Sequence, residues 1–441
     1  MKTLDKTLNI KKALGAAAGV ILAGTLLVGF FYCLAVFTTL LPAFLREPGP
    51  APVTSKDRLV GWARDIDYFA SQLPRLHPGP FSRVSQAEFE KQIVDLKAGL
   101  PQKSDQEITA ELMRITALLR DGHTRVTPGS QTEFNFFPLR LYWFADGVYV
   151  TGAAPEYQSL IGARLVKVGG TPFEQVVKTV APFISYDNEN GLKNYIHYTL
   201  CAEFLQFSGL IPNGAKEAVF TFEKGGNQMV KMAIKTIPDK DYDALSRQSF
   251  AEFKLFYRPE RQKEAYWFEY LPQAKVLYIQ YNACQEQDTL PMNDFAAQVA
   301  QALKANPVER LVVDLRMNGG GNSDVIKPLF KVIVESSLNQ KGKLFVLIGR
   351  ETFSSAVLNM VDFARQSQAT FVGEAAGGSP SHFGEVRSFI LPNSGVKVRY
   401  SCKHFVAQGY ENESFSPDVP ISVTYADYAA GRDPVLEYVI K

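Results

Sequence analysis

Four apolar runs near the end of the chain, separated by stretches of helical period, constrain the fold more than any other feature. They are VLYIQY (276–281), RLVVDL (310–315), KLFVLIG (343–349) and ATFVGE (369–374). Each is short and mostly continuous rather than alternating, which suits strands covered on both faces. Helical stretches lie between them, near 294–304, 325–334 and 356–365. Alternation of this kind predicts an α/β unit with a largely parallel sheet over 265–441.

Upstream the pattern changes twice. The region 57–133 reads as helical. Ser85 with Glu88, and Ser104 with Glu107, have the spacing of capping boxes. Phe89, Ile93 and Leu96 form one apolar stripe, and Ile108, Leu112, Ile115 and Leu119 the next. Such stripes are core. Gly122 is expected to end the second of these helices, with His123 on the loop after it. From 134 to 264 short apolar runs flank Asp146-Gly147 and Gly169-Gly170, a pattern of strands and turns. The stretch LIGARLVKVGGTPFEQVV (160–177) reads as strand, glycine turn, helix. With 441 residues the chain is long enough for two or three such units.

The N-terminus sets the expected topology. Lys2, Lys6, Lys11 and Lys12 precede a run, 13–45, without one charged residue. A helix of about 20 apolar residues spans a bilayer, and the basic flank stays in the cytoplasm. The expected order is a cytoplasmic tail (1–12), a transmembrane signal anchor (13–45) and a Pro-rich, poorly packed linker (46–56). Everything after Arg46 is then extracytoplasmic, and a long cleaved signal would give the same side. A formal net charge of +2 offers no basic field for a nucleic acid. Cys33, Cys201, Cys284 and Cys402 lack metal-ligand spacing and leave at most one disulfide beyond Cys33.

Two motifs carry chemistry. Thr352-Phe-Ser-Ser-Ala356 lies between an apolar strand and a helix. A serine there faces unpaired N–H groups of the first helical turn, which suit an oxyanion. The plainer reading is that Ser354 and Ser355 cap the helix. Asp314-Leu-Arg-Met-Asn-Gly-Gly-Gly321 also follows a strand. Its glycines allow close backbone approach, but no Gly-Lys-Ser/Thr follows, so it is no P-loop, nor is it a dinucleotide fingerprint. The plainer reading is a tight turn.

In order and interval, DLRMNGGG, ETFSSA and FVGEAAGG resemble the signature of the S41 serine peptidases, the C-terminal processing, tail-specific and tricorn-core enzymes. The resemblance runs from about 57 to 421. It implies a helical region, a PDZ-like module (134–264) and a crotonase-like (ClpP/crotonase) catalytic core (265–441). Ser354 maps onto the nucleophile. The N–H of Ser355 and that of Gly320, with Gly321 as the alternative, map onto the oxyanion hole. One branch of the family uses a Ser–Lys dyad, but no lysine occurs between Lys343 and Lys397 here. The other uses serine, histidine and glutamate. His123, in Asp121-Gly-His-Thr124, matches the histidine. Glu411, in ENESFSPD, matches the glutamate, with Glu413 as near competitor. His382, in GGSPSHFGE, is a rival base. His77 reads as structural, His197 and His404 carry no motif, and Asp314 and Arg316 are expected to brace the glycine turn.

The N-terminal run and the resemblance together imply a membrane-anchored extracytoplasmic peptidase acting on a peptide or protein, with no metal or organic cofactor. Its PDZ-like module offers a dock for a peptide tail. Two rivals stand beside it: a peptide-binding protein that kept the fold without catalysis, and a crotonase-like acyl-CoA enzyme.

Overall fold

The computed structural model describes residues 45–130, 132–225, 228–250, 258–261 and 263–441. All but the last residue of the expected membrane anchor therefore lies outside the described residues. Among the described residues no helix is long and apolar enough to cross a membrane. The linker after it is extended but not loosely packed: Gly49 N–H donates to Gln72 Oε1 at 2.8 Å, Tyr68 O–H to the Gly49 carbonyl at 2.8 Å, and Ser55 N–H to Asn393 Oδ1 at 2.8 Å.

Helices α1 (Arg58–Leu76), α2 (Gln86–Gly99) and α3 (Asp105–Ala117) come first, followed by strand β1 (Arg125–Thr127). Asp57 caps α1 and Ser85 caps α2, while Ser104 and Glu107 form the full reciprocal box on α3. Gly122 does not end α3. The helix stops at Ala117, and Arg120 takes the left-handed turn with φ 52°.

The middle of the chain forms β2 (Asn135–Phe136), β3 (Leu139–Phe144), β4 (Gly147–Ala153), β5 (Arg164–Val168) and β6 (Thr171–Pro172). Helices α4 (Phe173–Val180), α5 (Glu189–Asn194) and α6 (Ala202–Phe207) follow. Then come β7 (Glu217–Lys224), β8 (Gln228–Lys235), β9 (Ile237–Pro238) and α7 (Asp239–Phe250). An antiparallel sheet runs β3-β4-β5-β7-β8, with β6 on β5. The strand, glycine turn and helix expected over 160–177 are β5, Gly169-Gly170 and α4. The α5–α6 excursion was not expected from the strand pattern. Asn188 starts α5 by accepting the N–H groups of Asn190 and Gly191, and this carries Asp187 toward the C-terminal unit.

That unit contains β10 (Tyr266–Leu271), β11 (Val276–Tyr281), α8 (Met292–Ala305), β12 (Arg310–Asp314), α9 (Lys327–Val334), β13 (Leu344–Ile348), α10 (Ser355–Gln366) and β14 (Thr370–Gly373). A long ribbon, β15 (His382–Ile390) and β16 (Lys397–Phe405), then precedes β17 (Val419–Pro420), α11 (Tyr425–Ala429) and α12 (Pro434–Ile440). The sheet order is β10-β11-β12-β13-β14-β17, parallel from β11 onward, with β10 antiparallel on its edge. Alternate residues serve opposite faces. Ile279, Val313 and Val346 pack with α8–α10, and Tyr278, Val312 and Leu347 with α12 and Phe144 of the middle unit. Burial on both faces explains why these strands read as continuous apolar runs.

The helical region has no core of its own. Its buried stripes share one cluster with Phe389, Val398 and Tyr400 of the ribbon, and β1 pairs with β16. Each large side chain so buried stabilises the contact by about 1.5–3 kcal/mol. The sheet β1-β16-β15 therefore ties the helical region to the C-terminal unit.

Candidate active site

The serine turn begins where β13 ends. Thr352 Oγ1 accepts the Gly349 N–H at 3.1 Å and donates to the Leu315 carbonyl at 2.9 Å. Phe353 N–H donates to the Asn318 carbonyl at 3.0 Å. Pinned on these bonds, Ser354 takes φ 55° and ψ −127° immediately before α10. Such a conformation costs a non-glycine residue on the order of 1–3 kcal/mol and persists only where the surroundings impose it. The Ser354 side chain makes no capping bond, so the plainer reading of this serine fails. Ser355 Oγ does not cap either; it donates to the Gly321 carbonyl at 2.7 Å and ties the helix to the glycine turn.

Gly320 and Gly321 have φ of 106° and 135°. A Cβ on Gly320 would sit 2.6 Å from Ser354 Cβ, so only glycine lets the two turns meet. The N–H of Gly320 is committed to Asn318 Oδ1 at 2.9 Å, which removes it as an oxyanion donor. Among the described residues, the N–H groups of Gly321 and Ser355 have no acceptor. Asp314 and Arg316 brace the turn from below. Arg316 pairs with both Asp314 and Asp433, and Tyr278 O–H donates to Asp314 Oδ2 at 2.6 Å.

His123 is held by distant parts of the chain. Its ring stacks on Phe353 at 4.4 Å between centroids and on His382 at 5.6 Å. Since Phe353 precedes Ser354, this stack brings the histidine to the serine turn. Asp121 beside it accepts from His77 Nε2 at 3.1 Å, Ser401 Oγ at 2.6 Å, Thr124 Oγ1 and the His123 N–H. Burial alone would raise the Asp121 pKa, but His123 and His77 outweigh it and hold the carboxyl below the usual range. His123 Nδ1 lies 3.6 Å from Asp121 Oδ1. That is ion-pair distance, and among the described residues neither ring nitrogen has a hydrogen-bond partner.

Asp187 is the residue that sequence reasoning missed. It accepts the N–H of Gly122 at 2.7 Å and of Ser379 at 3.2 Å. Its carboxylate lies with Asp121 and His123 in a buried group whose ligand-type atoms are within 4.8 Å of one another. Burial pushes its pKa up to about 6, with His123 lowering it and Asp121 raising it. Gly122 serves this approach: a Cβ there would lie 2.9 Å from Asp187 Oδ1 and 3.1 Å from Phe353 Cζ. No local motif surrounds Asp187, and only the folded chain brings it to His123.

Glu411 is not brought to His123 by any hydrogen bond. It is exposed, and its carboxylate accepts the Gly409 N–H at 2.8 Å. Glu413 pairs with Arg83 at 2.9 Å. It is the Glu413 carbonyl that reaches the site, accepting from Asn188 Nδ2 and Ser379 Oγ. The loop thus approaches through its backbone, with these carboxylates turned elsewhere. His382 Nδ1 pairs with the Ser379 carbonyl at 2.9 Å, and burial, with His123 nearby, lowers its pKa to about 4. His77 accepts the Gly79 N–H on Nδ1 and faces Asp121 with Nε2, a structural role. Cys201, Cys284 and Cys402 are buried free thiols.

No protein-family model matches the chain. No curated protein matches it either. Solved structures do. Mature CPAF, in complex with lactacystin, superposes with a TM-score of 0.60 at 12% identity, over 86% of this chain and 97% of that one. A second structure of mature CPAF gives 0.60 at 14% identity, over 86% and 96%. The tricorn protease gives a TM-score of 0.41 at 16% identity, over 87% of this chain and 36% of that one. The chain therefore has the α/β fold of mature CPAF along most of its length.

Proposed function

We propose that this chain is a serine peptidase that hydrolyses peptide bonds through an acyl-enzyme. The observation that carries this reading is Ser354: a strained residue at a strand-to-helix turn, its hydroxyl free of capping, against a glycine turn and beside the Phe353–His123 stack. The S41 resemblance of the motifs and the fold of mature CPAF support it.

In this reading Ser354 Oγ attacks the scissile carbonyl while His123 takes its proton. Nδ1 faces Asp121, which leaves Nε2 for the serine. The N–H groups of Ser355 and Gly321 receive the oxyanion. His123 then protonates the leaving amine, and a water repeats the sequence to release the acid. Steadying of the imidazolium is assigned to Asp121, 3.6 Å from Nδ1, together with Asp187, within 4.8 Å of the pair, in place of the Glu411 that the resemblance implied. His382 is a poor base: with its pKa near 4 and Nδ1 tied to Ser379, it has little driving force to accept a proton at neutral pH. The run 13–45 is proposed as a membrane anchor with the peptidase outside the cytoplasm, on the strength of its length and basic flank. A reporter fused after Lys441 should be active only outside the cytoplasm.

One observation favours the rival, a peptide-binding protein without catalysis. The ring nitrogens of His123 make no hydrogen bond, so the serine and histidine are not engaged. Labelling with a fluorophosphonate probe separates the two. The peptidase reading expects covalent labelling that disappears in Ser354→Ala, and an unlabelled wild-type chain would sink it.

A further inference from the structure

We infer that Asp121, His123 and Asp187 form an inhibitory site for a first-row divalent cation, best suited to Zn²⁺. The donor set is one imidazole and two carboxylates, which leaves a fourth position for water. The spacing fits. Zinc bonds to nitrogen and oxygen of about 2.0–2.2 Å at tetrahedral angles set neighbouring donors about 3.3–3.5 Å apart. His123 Nδ1 and Asp121 Oδ1 are 3.6 Å apart, too far for a hydrogen bond and close to the bite of one ion. The Asp187 carboxylate completes the group within 4.8 Å.

The independent sign is His123. Its side chain is 8% exposed, yet both ring nitrogens lack a partner. Buried polar atoms rarely remain unpaired without a reason such as an ion. The surroundings also resemble an outer coordination sphere. Asp121 Oδ2 is filled by His77, Thr124 and Ser401, which leaves Oδ1, with only the His123 N–H, to face the ring. Backbone N–H groups of Gly122 and Ser379 orient Asp187, and the flanking rings fix the imidazole plane. A divalent ion would balance the two buried carboxylates.

Inhibition follows from the tautomer. A metal on Nδ1 takes that nitrogen's lone pair and forces the remaining ring proton onto Nε2. The nitrogen assigned to the serine then donates and no longer accepts. Binding stands on the three side chains alone, whereas inhibition rests on the proposed role of His123 as the peptidase base.

Calorimetric titration of ZnCl₂ into the full chain in detergent should show one ion per chain. Ser354→Ala should bind it with unchanged affinity, since it removes the chemistry and keeps the donors. His123→Ala and Asp187→Asn should each weaken binding at least 10-fold. In the wild-type chain zinc should stop hydrolysis and EDTA should restore it. Unchanged binding in folded His123→Ala, or no binding by Ser354→Ala at millimolar zinc, would overturn the site. Co²⁺ added to Ser354→Ala gives a check that needs no ligand variant: four-coordinate visible absorption supports the site, and its absence overturns it. Zinc that binds without slowing Ser354-dependent hydrolysis overturns the inhibitory role. Zinc bound by a chain that hydrolyses nothing supports the site and counts against the peptidase reading instead.

Discussion

The serine turn and the histidine turn face each other but are built differently. The serine turn is local to one sheet. Its bonds come from Leu315, Asn318 and Gly349, at the ends of adjacent strands β12 and β13. The histidine turn rests on partners from across the chain: His77 after α1, Asp187 before α5, Ser379 before β15 and Ser401 on β16. One proposed catalytic group is delivered by the strand-to-helix geometry that the apolar runs already announce. The other depends on three units folding onto one another. Substitutions on the serine side should therefore change chemistry and spare the fold, whereas those around the histidine should change both.

The sharpest separation is expected from Ser354→Ala. Hydrolysis should fall on the order of 10⁴-fold or more, with the thermal midpoint nearly unchanged, because the hydroxyl makes no capping bond. A large loss of stability would show that the serine turn is structural. Asp121→Ala should act oppositely, costing roughly 3–5 kcal/mol in denaturant unfolding, because it strands His77, Ser401 and Thr124 in a buried space. Kinetics should then discriminate the two carboxylates. Asp187→Asn should lower kcat by about 10²-fold, while Glu411→Gln should leave it within about twofold. The reverse result would return the triad role to Glu411.

Two smaller effects refine the comparison. Between about pH 6.5 and 4 the unfolded chain binds a proton at His382 that the folded chain refuses, so stability should fall as pH falls. His382→Asn should remove up to about 1.4 kcal/mol per pH unit of that slope. Identical slopes in both proteins would deny the burial effect. Asp187 works against it: its raised pKa makes the folded chain hold a proton up to about pH 6 that the unfolded chain has released, so its share of stability falls as pH rises through that window. Measuring His382→Asn in the Asp187→Asn background isolates the histidine. Ser355→Ala should cost only about 1 kcal/mol, from the lost bond to Gly321, and its retained N–H should keep most of the activity.

Much of this was legible because it is written in periodicity and turn chemistry. The four parallel strands and three intervening helices fall within a residue or two of the apolar runs and stripes. Ser104 and Glu107 form the box their spacing announces. The glycine turn beside Ser354 was legible too, since close backbone approach selects glycine. The misreadings share a cause. Gly122 looked like a helix stop but is small to admit Asp187 and Phe353. The linker looked loose but is tied to α1. Glu411, whose side chain turns to Gly409, is a separate case that the kinetic comparison with Asp187 decides.

The sequence alone determined the parallel sheet, the serine on its strand-to-helix turn and the glycines that meet it, because strand burial, helix period and backbone freedom are properties of neighbouring residues. The tertiary structure decided what surrounds His123. Asp187 reaches it from 64 positions away and Ser401 braces its turn from 278 away. Nothing in local propensity encodes such meetings: they arise when the β15–β16 ribbon closes over α1–α3 and the α5 excursion folds in, and only packing across the chain fixes which carboxylate faces the ring.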